Sequence, residues 1–344
     1  MSSPNAAPGG SPARPAFSQA VLVIDPAATA ERIARAIQAY VRDVRRRGAV
    51  VAVSGGVDSA VVLGLCARAL GPERVLALLM PERDSSADSV DLGRQAAARF
   101  GTPVVIEELT PVLAAAGCYE RQAAAIRLLF PDYADTWRSK ITLPSILDGE
   151  RLNMPLLTVE TPAGERLTKR LTAAAYLQLV AATNFKQRVR KMMEYYHADR
   201  LHYVVAGTPN RLEYDQGFFV KQGDGAADLK PIAHLYKTQV YQLAAWLEVP
   251  EAIRRRPPTT DTFSLAQTQE EFYFAVPYDV MDLCLYGLNH GVPAAEVAAA
   301  TNLTAEQVER VYRDIEQKRR TTRYLHAGPA LVEPIPEVGE PCAE

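Results

Sequence analysis

Close cysteine pairs are missing from this sequence of 344 residues. The four cysteines are far apart and form no CxxC motif; they are Cys66, Cys118, Cys284 and Cys342. Cysteine metal clusters and redox pairs are therefore not expected, and reduced thiols in a cytoplasmic protein are the simplest interpretation. The five histidines show no metal-ligand spacing either.

Long apolar runs and an excess of one charge are also absent. No stretch approaches the roughly 18 apolar residues of a membrane-spanning helix, so no membrane partner is expected. The 38 Lys and Arg residues are balanced by 40 Asp and Glu residues, which leaves a formal net charge of -2. Nucleic-acid binders usually carry a basic domain, so we expect no nucleic-acid partner. A helix-turn-helix-like pattern at 293–313 contains three Glu and two Arg, which disfavours DNA binding there.

Both ends of the chain are predicted to be disordered tails. Residues 1–27 are rich in Pro, Ser and Ala and lack the apolar core of a secretory signal. Residues 327–344 are Pro-rich and acidic, and we expect them to be flexible. The sequence therefore predicts one folded domain over 28–326.

Strands and helices alternate within this domain. Strands are predicted at 49–53, 74–80, 103–107 and 201–206, and helices at 28–47, 58–70, 86–100, 184–199 and 236–247. The last part is helical, with helices predicted at 278–289, 294–301 and 304–320. This order predicts an α/β fold with a doubly wound parallel sheet and a helical C-terminal part. Residues 110–180 interrupt the alternation and contain a predicted β-hairpin at 156–171 that turns at 162–164.

A glycine-rich loop, SGGVDS, lies between the first predicted strand and its helix. Its residues are Ser54, Gly55, Gly56, Val57, Asp58 and Ser59. Two glycines allow close backbone approach to an anion, and the N–H groups at a helix start hold phosphate oxygens. Asp58 adds a carboxylate for a Mg²⁺ ion beside those phosphates. The alternative is an ordinary capped turn, but the strand–loop–helix context favours ATP binding; Walker A and GxGxxG motifs are absent.

A second concentration of polar residues lies at 207–240. It includes Thr208, Glu213, Phe218, Phe219, Lys221, Asp224, Asp228 and Lys237. A hydroxyl after a strand suits a nucleotide, and Glu213 is a second carboxylate for a metal ion. Mixed charges in a glycine-rich loop are typical of a polar ligand site, although a solvated surface loop is the alternative.

These motifs resemble a known family. The SGGVDS loop resembles the pyrophosphate loop of the N-type ATP pyrophosphatases, which have an adenine nucleotide alpha-hydrolase-like fold. Residues 207–240 resemble the NAD synthetase pattern GT-x-N-x-x-E-x-x-x-G-[YF]-F-x-K-x-GDG-x-x-D-x-x-P-[IL]-x-x-L-x-K. Residues 184–190 resemble the N-x-x-x-R-x-R helix of the same family. The resemblance covers most of 28–320 except its middle part.

The resemblance implies a role for each matching position. The ATP phosphates would be held by residues 54–59, with Thr208, Lys237 and Thr259 completing the ATP site. Asp58 and Glu213 match the Mg²⁺ ligands, so the implied catalytic residues are Asp58, Glu213 and Lys237. The implied substrate-binding residues are Arg188, Phe218, Lys221, Asp228, Lys318 and Arg319. Phe218 matches an aromatic residue that stacks on the pyridine ring, and Gln317 stands where the family usually has His.

The implied activity is the ATP-dependent amidation of deamido-NAD to NAD⁺ with ammonia. An acyl-adenylate forms, and AMP and pyrophosphate are released. The family also implies a homodimer, and we expect free ammonia to be used because the length leaves no room for a glutaminase domain. Two alternatives remain: a related amide synthetase for another carboxylic acid, and a non-catalytic nucleotide-binding protein. Residues 110–180 are expected to form a cap near the acid-binding side or the dimer interface.

Overall fold

The central sheet has four parallel strands in the part of the chain that the structure describes. This structure is a computed structural model, and it describes residues 16–148, 155–259 and 262–335. The strands are β1 (Ala49–Ala52), β2 (Val75–Leu79), β3 (Val104–Ile106) and β7 (Val204–Ala206). Their order is β3-β2-β1-β7, with β1 between β2 and β7. All pairs are parallel, which confirms the predicted sheet.

Helices cover both faces of this sheet. One face packs against α1 (Pro26–Asp43), α2 (Val57–Leu70), α3 (Ser89–Phe100) and α8 (Lys237–Trp246). The other face packs against α4 (Thr110–Ala115), α5 (Cys118–Arg127) and α6 (Ala173–Leu201). Successive side chains of a strand point to opposite faces, and Val51 and Val50 accordingly lie in the two different cores. The doubly wound α/β prediction is therefore confirmed.

Residues 110–180 contain a second, three-stranded antiparallel sheet. Its strands are β4 (Arg138–Thr142), β5 (Leu156–Glu160) and β6 (Arg166–Arg170), in the order β4-β5-β6. The predicted hairpin is confirmed as β5 and β6, and Gly164 in its turn has a φ of 82°. Strand β4 was not predicted. Ile141, Leu157 and Leu179 join β4, β5 and α6 in one buried cluster.

Helix α6 is much longer than its predicted span of 184–199. It has 29 residues and begins after Thr172, whose side chain accepts a hydrogen bond from the Ala175 N–H. It ends at His202, which has a left-handed φ of 60°. Because this turn occupies residues 202–203, the strand predicted at 201–206 starts only at Val204.

The C-terminal part is helical, as predicted. It contains α10 (Tyr278–Asn289), α11 (Ala294–Thr301) and α12 (Ala305–His326), which share an apolar core. Short helices α7 (Arg211–Gln216) and α9 (Glu251–Arg255) flank α8, and a π-helical turn spans Glu270–Phe274. In the described ranges, no helix is long and apolar enough to cross a membrane.

The predicted N-terminal tail is partly folded onto the domain. Residues 1–15 lie outside the described ranges, but a 3₁₀ helix spans Gln19–Leu22 and buries Leu22. The side chain of Gln242 accepts from the Ile24 N–H and donates to the Leu22 carbonyl, both at 3.0 Å. The predicted boundary at residue 28 is therefore wrong. At the other end, residues 327–335 form no helix or strand, while 336–344, including Cys342, lie outside the description.

Candidate active site

A cavity of about 1120 Å³ lies beyond the carboxyl ends of β1, β2 and β7. Its wall includes Ser54 after β1, Pro81 after β2 and Thr208 after β7. This is where open parallel sheets commonly bind their ligands, because the strand ends and helix starts converge there. The cavity brings together most of the predicted site residues. They are Ser54, Gly56, Val57, Asp58, Ser59, Arg188, Thr208, Glu213, Phe218, Lys221, Thr259 and Lys318.

The glycine-rich loop forms a tight turn at one end of the cavity. Gly55 has a φ of 78°, and a Cβ there would lie 2.9 Å from the Ser89 carbonyl oxygen. Ser59 donates to the Gly56 carbonyl at 3.0 Å and also accepts from the Ser54 N–H at 3.3 Å. Gly56 caps α2 without a side-chain hydrogen bond, so the helix start faces the cavity as an anion-binding end.

Two carboxylates meet beside this loop. Asp58, in the first turn of α2, forms an ion pair with the fully buried Lys237. The Asn210 side chain donates to Asp58 Oδ1 at 3.1 Å, while the Asn210 backbone N–H donates to Glu213 Oε2 at 3.0 Å. Asn210 is also the N-cap of α7, and Glu213 completes its capping box. The cap therefore fixes Glu213 next to Asp58.

The electrostatics of this group follow from its burial. Desolvation, reinforced by the negative charge of Asp58, raises the pKa of Glu213 to about 8. Burial by itself would lower the pKa of Lys237, but the carboxylates of Asp58 and Glu213 outweigh it and raise that pKa. Lys237 is therefore a permanent cation. At neutral pH the raised pKa keeps Glu213 largely protonated, so the Asp58–Lys237 pair is close to neutral, and a bound divalent cation would favour the ionised form of Glu213.

The donor set fits a Mg²⁺ ion that is shared with phosphates. Among the described residues, no group of three or more His, Cys, Asp and Glu side chains could hold a metal by itself. Mg²⁺ commonly binds one or two carboxylates and takes its other ligands from substrate phosphates and water. Asp58 and Glu213 beside a phosphate-type loop match that chemistry.

Cationic side chains also line the cavity. Arg188 and Lys191 project from α6, and Lys318 projects from α12. Lys221 donates to the carbonyl oxygens of Tyr324 and Ala327 at 2.8 and 2.5 Å, at the end of α12. Lys191 and Lys318 are each paired at 2.7 Å with a carboxylate, of Glu194 and Asp314, so an anionic ligand would meet a mixed set of charges here.

Phe218 lies in an aromatic cluster in the wall of the cavity. Its ring stacks on Tyr273 at a centroid distance of 4.7 Å and meets Phe272 and Phe274 at tilted and edge-on angles. One face of Phe218 is therefore already covered. Its predicted stacking on a pyridine ring stays a prediction.

The structure does not bring all predicted residues to the cavity. The Asp228 carboxylate accepts from the Val205 N–H at 2.7 Å and from the Tyr195 hydroxyl at 3.2 Å, so it fastens the loop to β7. Arg319 makes a two-point ion pair with Asp215 at 2.6 and 2.8 Å and does not line the cavity. Gly55 and Lys237 lie behind the lining residues, although Lys237 reaches Asp58.

The sheet β4-β5-β6 and the early part of α6 form one wall of the cavity. Ile141, Leu143 and Leu171 line it, together with Tyr176 and Val180 of α6. Of the cap predicted over 110–180, the small sheet and the early part of α6 line the cavity, whereas α4 and α5 pack against the central sheet. The apolar side chains of this wall contrast with the charged side chains elsewhere in the lining, so the cavity is lined by both kinds.

Sequence reasoning missed three residues at the site. Asn210 carried a usable signal, because Asn followed three residues later by Glu is typical of a capping box. Gln269 donates to Glu213 Oε1 at 3.1 Å across 56 residues, and no local pattern indicates such a contact. Arg256 donates to the Ser54 carbonyl at 3.4 Å and pairs with Asp88 at 3.2 Å, and both contacts join segments that lie far apart in the chain.

Comparison with known proteins decides the family. The model of the family described as NAD synthase matches residues 29–129 and 149–324. The chain belongs to the NAD synthase family. The resemblance seen in the glycine-rich loop and in residues 207–240 is therefore confirmed, and the matched ranges leave out 130–148, a shorter stretch than the expected insertion at 110–180.

Two relatives resemble this family member over nearly its whole length. The NH(3)-dependent NAD(+) synthetase of Mesorhizobium japonicum is 59% identical, and the alignment covers 93% of this chain and 100% of the relative. The protein of the same name from Rhizobium meliloti is 57% identical, with 94% and 96% covered. Among solved structures, the NMN synthetase of Francisella tularensis superposes with a TM-score of 0.60 at 20% identity and covers 91% of this chain and 100% of its own. That structural likeness shows the fold alone.

Proposed function

We propose that this family member is an ATP-dependent ligase that converts deamido-NAD and ammonia into NAD⁺. The observation that carries the proposal is one continuous cavity that holds two chemically distinct groups of residues. Asp58, Glu213 and Lys237 stand beside the phosphate-type loop, and Arg188, Lys221 and Lys318 contribute cationic side chains to the same cavity. A reaction that joins a nucleoside triphosphate to an anionic acid needs both groups in one cavity. The identity of 59% to an NH(3)-dependent NAD(+) synthetase supports the same activity.

In the first step, the nicotinate carboxylate attacks the α-phosphorus of ATP. A new C–O–P link forms, the bond between the α and β phosphates breaks, and pyrophosphate leaves. The loop of residues 54–59 orients the phosphates, and Lys237 stabilises the negative charge that develops on them. Asp58 and Glu213 would hold Mg²⁺, which when bound neutralises phosphate charge and orients the leaving group.

In the second step, ammonia attacks the activated carbonyl carbon. The C–N bond forms, the bond to the AMP oxygen breaks, and the nitrogen loses one proton to solvent. Arg188, Lys221 and Lys318 are proposed to hold the anionic part of the dinucleotide during both steps. No covalent bond to the protein is required, so the protein contributes mainly positioning and fixed charge.

The test is a reconstituted reaction with the purified chain. ATP, MgCl₂, ammonium chloride and deamido-NAD should give NAD⁺, AMP and pyrophosphate in equal amounts. Asp58→Ala and Glu213→Ala should each reduce kcat/KM by about 10²-fold or more, because they remove charge that acts on the transition state. Asp91→Ala, an exposed carboxylate of α3, is the control and should remain active. Turnover with another carboxylic acid and not with deamido-NAD would refute the proposed substrate, and nucleotide binding without turnover would refute the enzyme.

We also propose that two copies associate through the outer face of α6. Leu177, Met192 and Tyr196 are 66%, 54% and 58% exposed. At 100° per residue, these positions fall within about 100° of the helix circumference, in a sector that also contains the exposed Arg188 of the cavity lining. Sedimentation velocity should find a dimer that Tyr196→Asp weakens, while Leu128→Asp, an equally exposed position after α5, leaves it intact. A wild-type monomer at micromolar concentration would contradict the proposal.

A further inference from the structure

The Glu213 carboxylate is held from both of its oxygens. The Asn210 N–H donates to Oε2 at 3.0 Å, and the Gln269 side-chain amide donates to Oε1 at 3.1 Å. The first contact belongs to the helix cap of α7. The second comes from a distant segment that precedes the π-helical turn, so Glu213 is clamped between two parts of the fold.

The orientation of the Gln269 amide is itself fixed. The Tyr278 hydroxyl donates to Gln269 Oε1 at 2.7 Å, which leaves the amide nitrogen facing Glu213. The ionised carboxylate, which is the form that binds a metal ion, only accepts hydrogen bonds, so the reversed amide would place two oxygens against each other. Burial, with the added effect of Glu213 and Asp58, raises the pKa of Tyr278, so the phenol keeps its proton and stays a donor.

The Gln269 backbone is anchored beside a candidate ATP residue. Its N–H donates to the Pro258 carbonyl at 3.1 Å, and the adjacent Thr268 forms a β-bridge with Thr259. The Tyr278 N–H in turn donates to Glu270 Oε1 at 3.0 Å. One short segment therefore contacts Glu213, residues 258–259 and the start of α10.

We propose that Gln269 is a positioning residue, oriented by Tyr278, that sets the Glu213 carboxylate for binding a divalent cation. The inference rests on the proposed function, in which Glu213 is a metal ligand. Hydrogen-bond partners of a ligand fix its direction, and their loss typically weakens metal binding by about 10–100-fold. Gln269 links that ligand to Pro258, next to the candidate ATP residue Thr259, so metal binding and nucleotide binding should weaken together.

The experiment measures Mn²⁺ binding by electron paramagnetic resonance in the presence of α,β-methylene-ATP. Gln269→Met preserves size but removes the donor, and it should raise the Kd for Mn²⁺ by about 10–100-fold. Tyr278→Phe should raise it by a smaller factor, and the double variant should match Gln269→Met, because the hydroxyl acts only through the amide. Gln38→Met is the control, since its amide donates to the Ala69 carbonyl away from the cavity.

Steady-state rates give a second readout. Excess Mg²⁺ should restore much of the kcat of Gln269→Met, with the defect remaining in the Mg²⁺ concentration at half-maximal rate. A merely structural role would instead lower kcat at every Mg²⁺ concentration. If Gln269→Met does not fold, Tyr278→Phe, which loses one hydroxyl, carries the same test.

Glu213→Gln separates the two hypotheses. If this variant binds Mn²⁺ with wild-type affinity, the metal role of Glu213 in the proposed function is wrong. If Glu213→Gln weakens binding and Gln269→Met does not, the positioning role is overturned. If the effects of Gln269→Met and Tyr278→Phe on the Kd for Mn²⁺ add in the double variant, Tyr278 does not act through the Gln269 amide.

Discussion

Gly55 shows how a single residue sets the geometry of the glycine-rich loop. Its φ of 78° is unfavourable for other residues, and an added Cβ would lie 2.9 Å from the backbone oxygen of Ser89. We expect Gly55→Ala to lower the free energy of unfolding by about 1–3 kcal/mol. The displaced loop should also reduce kcat/KM for ATP by at least about tenfold, or roughly 1.4 kcal/mol. Urea unfolding and initial rates measure the two effects.

Gly164 provides the matched control for this substitution. Its φ of 82° is nearly the same, but a Cβ there would meet nothing within 4 Å, and the residue lies in the β5–β6 turn. Gly164→Ala should cost about 1 kcal/mol of backbone strain and leave the ATP kinetics unchanged. Equal losses of kcat/KM in both variants would mean that the loss at Gly55 does not come from its contact with Ser89.

The sequence predicted those site residues whose chemistry is local. Asp58 follows two glycines at a helix start, and Glu213 lies in the family pattern of residues 207–240, so short motifs located both. Gln269 and Arg256 act through contacts with segments that lie far away in the chain. Such contacts depend on how the segments pack, which no local pattern encodes. Asp228 and Arg319 match the family motif, yet Asp228 accepts a hydrogen bond from the Val205 N–H and Arg319 forms an ion pair with Asp215.

At the scale of elements, Lys186 joins α6 to the loop after β2. Its ammonium group is fully buried and lies 3.1 Å from Glu82 Oε1, 2.5 Å from Asp84 Oδ2 and 3.1 Å from the Thr262 carbonyl. Lys186→Met would leave two buried carboxylates without their cation. We expect a loss of about 3–5 kcal/mol in the free energy of unfolding, measured by urea titration.

An exposed ion pair serves as the comparison for Lys186. Arg255 and Glu251 of α9 are 80% and 61% exposed at their side chains. Arg255→Met should therefore change the free energy of unfolding by less than about 1 kcal/mol. A loss of under 1 kcal/mol for Lys186→Met as well would show that water reaches Glu82 and Asp84 when the lysine is removed.

The start of α8 depends on a buried carboxylate of α10. Asp282 accepts from the Lys237 and Thr238 N–H groups at 3.1 and 2.7 Å. Burial raises the pKa of Asp282 from 3.8 to about 6. The folded protein then binds this proton more tightly than the unfolded chain does. The contribution of Asp282 to the free energy of unfolding should therefore fall as the pH rises from about 4 to about 6.

Asp282→Asn tests this pH dependence, because Asn does not titrate. Relative to wild type, the variant should gain stability between pH 4 and pH 7, by on the order of 2–3 kcal/mol. Urea unfolding at both pH values gives the difference. A difference that stays constant with pH would contradict a raised pKa for Asp282.

Periodicity located most elements but not all of their bounds. The parallel strands and the C-terminal helices were predicted because their apolar patterns are regular and their ends carry glycine or capping residues. Strand β4 was missed because it is an edge strand of a small sheet. Its partner β5 begins 14 residues after β4 ends, so no hairpin pattern marks it in the sequence. The first half of α6 was missed because it faces that sheet, a surface that exists only after folding.

At the scale of the molecule, two cores meet at the cavity. The parallel sheet and its helices bring the phosphate-type loop to one side, and the sheet β4-β5-β6 brings an apolar wall to the other. The helical C-terminal part adds Lys318 and the end of α12. Because the lining comes from all these units, the cavity's shape follows from their packing, and the sequence alone predicted few of its apolar residues besides Val57 and Phe218.

Whether the protein can use glutamine as its nitrogen source depends on the cysteines of the whole chain. Releasing ammonia from glutamine requires an activated nucleophile, commonly a cysteine thiolate. The three cysteines that the structure describes are buried: burial raises the pKa of Cys66 and Cys284 to about 12 and also raises that of Cys118. These thiols remain protonated at neutral pH and are poor nucleophiles.

We therefore expect ammonium chloride, but not glutamine, to support NAD⁺ formation by the purified chain. At a fixed total concentration of ammonium, the rate should increase with pH while nitrogen supply is limiting, because only neutral ammonia has a free lone pair. Treatment with iodoacetamide under native conditions should leave this rate unchanged, since the described thiols are buried. Glutamine-supported turnover that iodoacetamide abolishes would contradict the prediction and would identify a reactive cysteine.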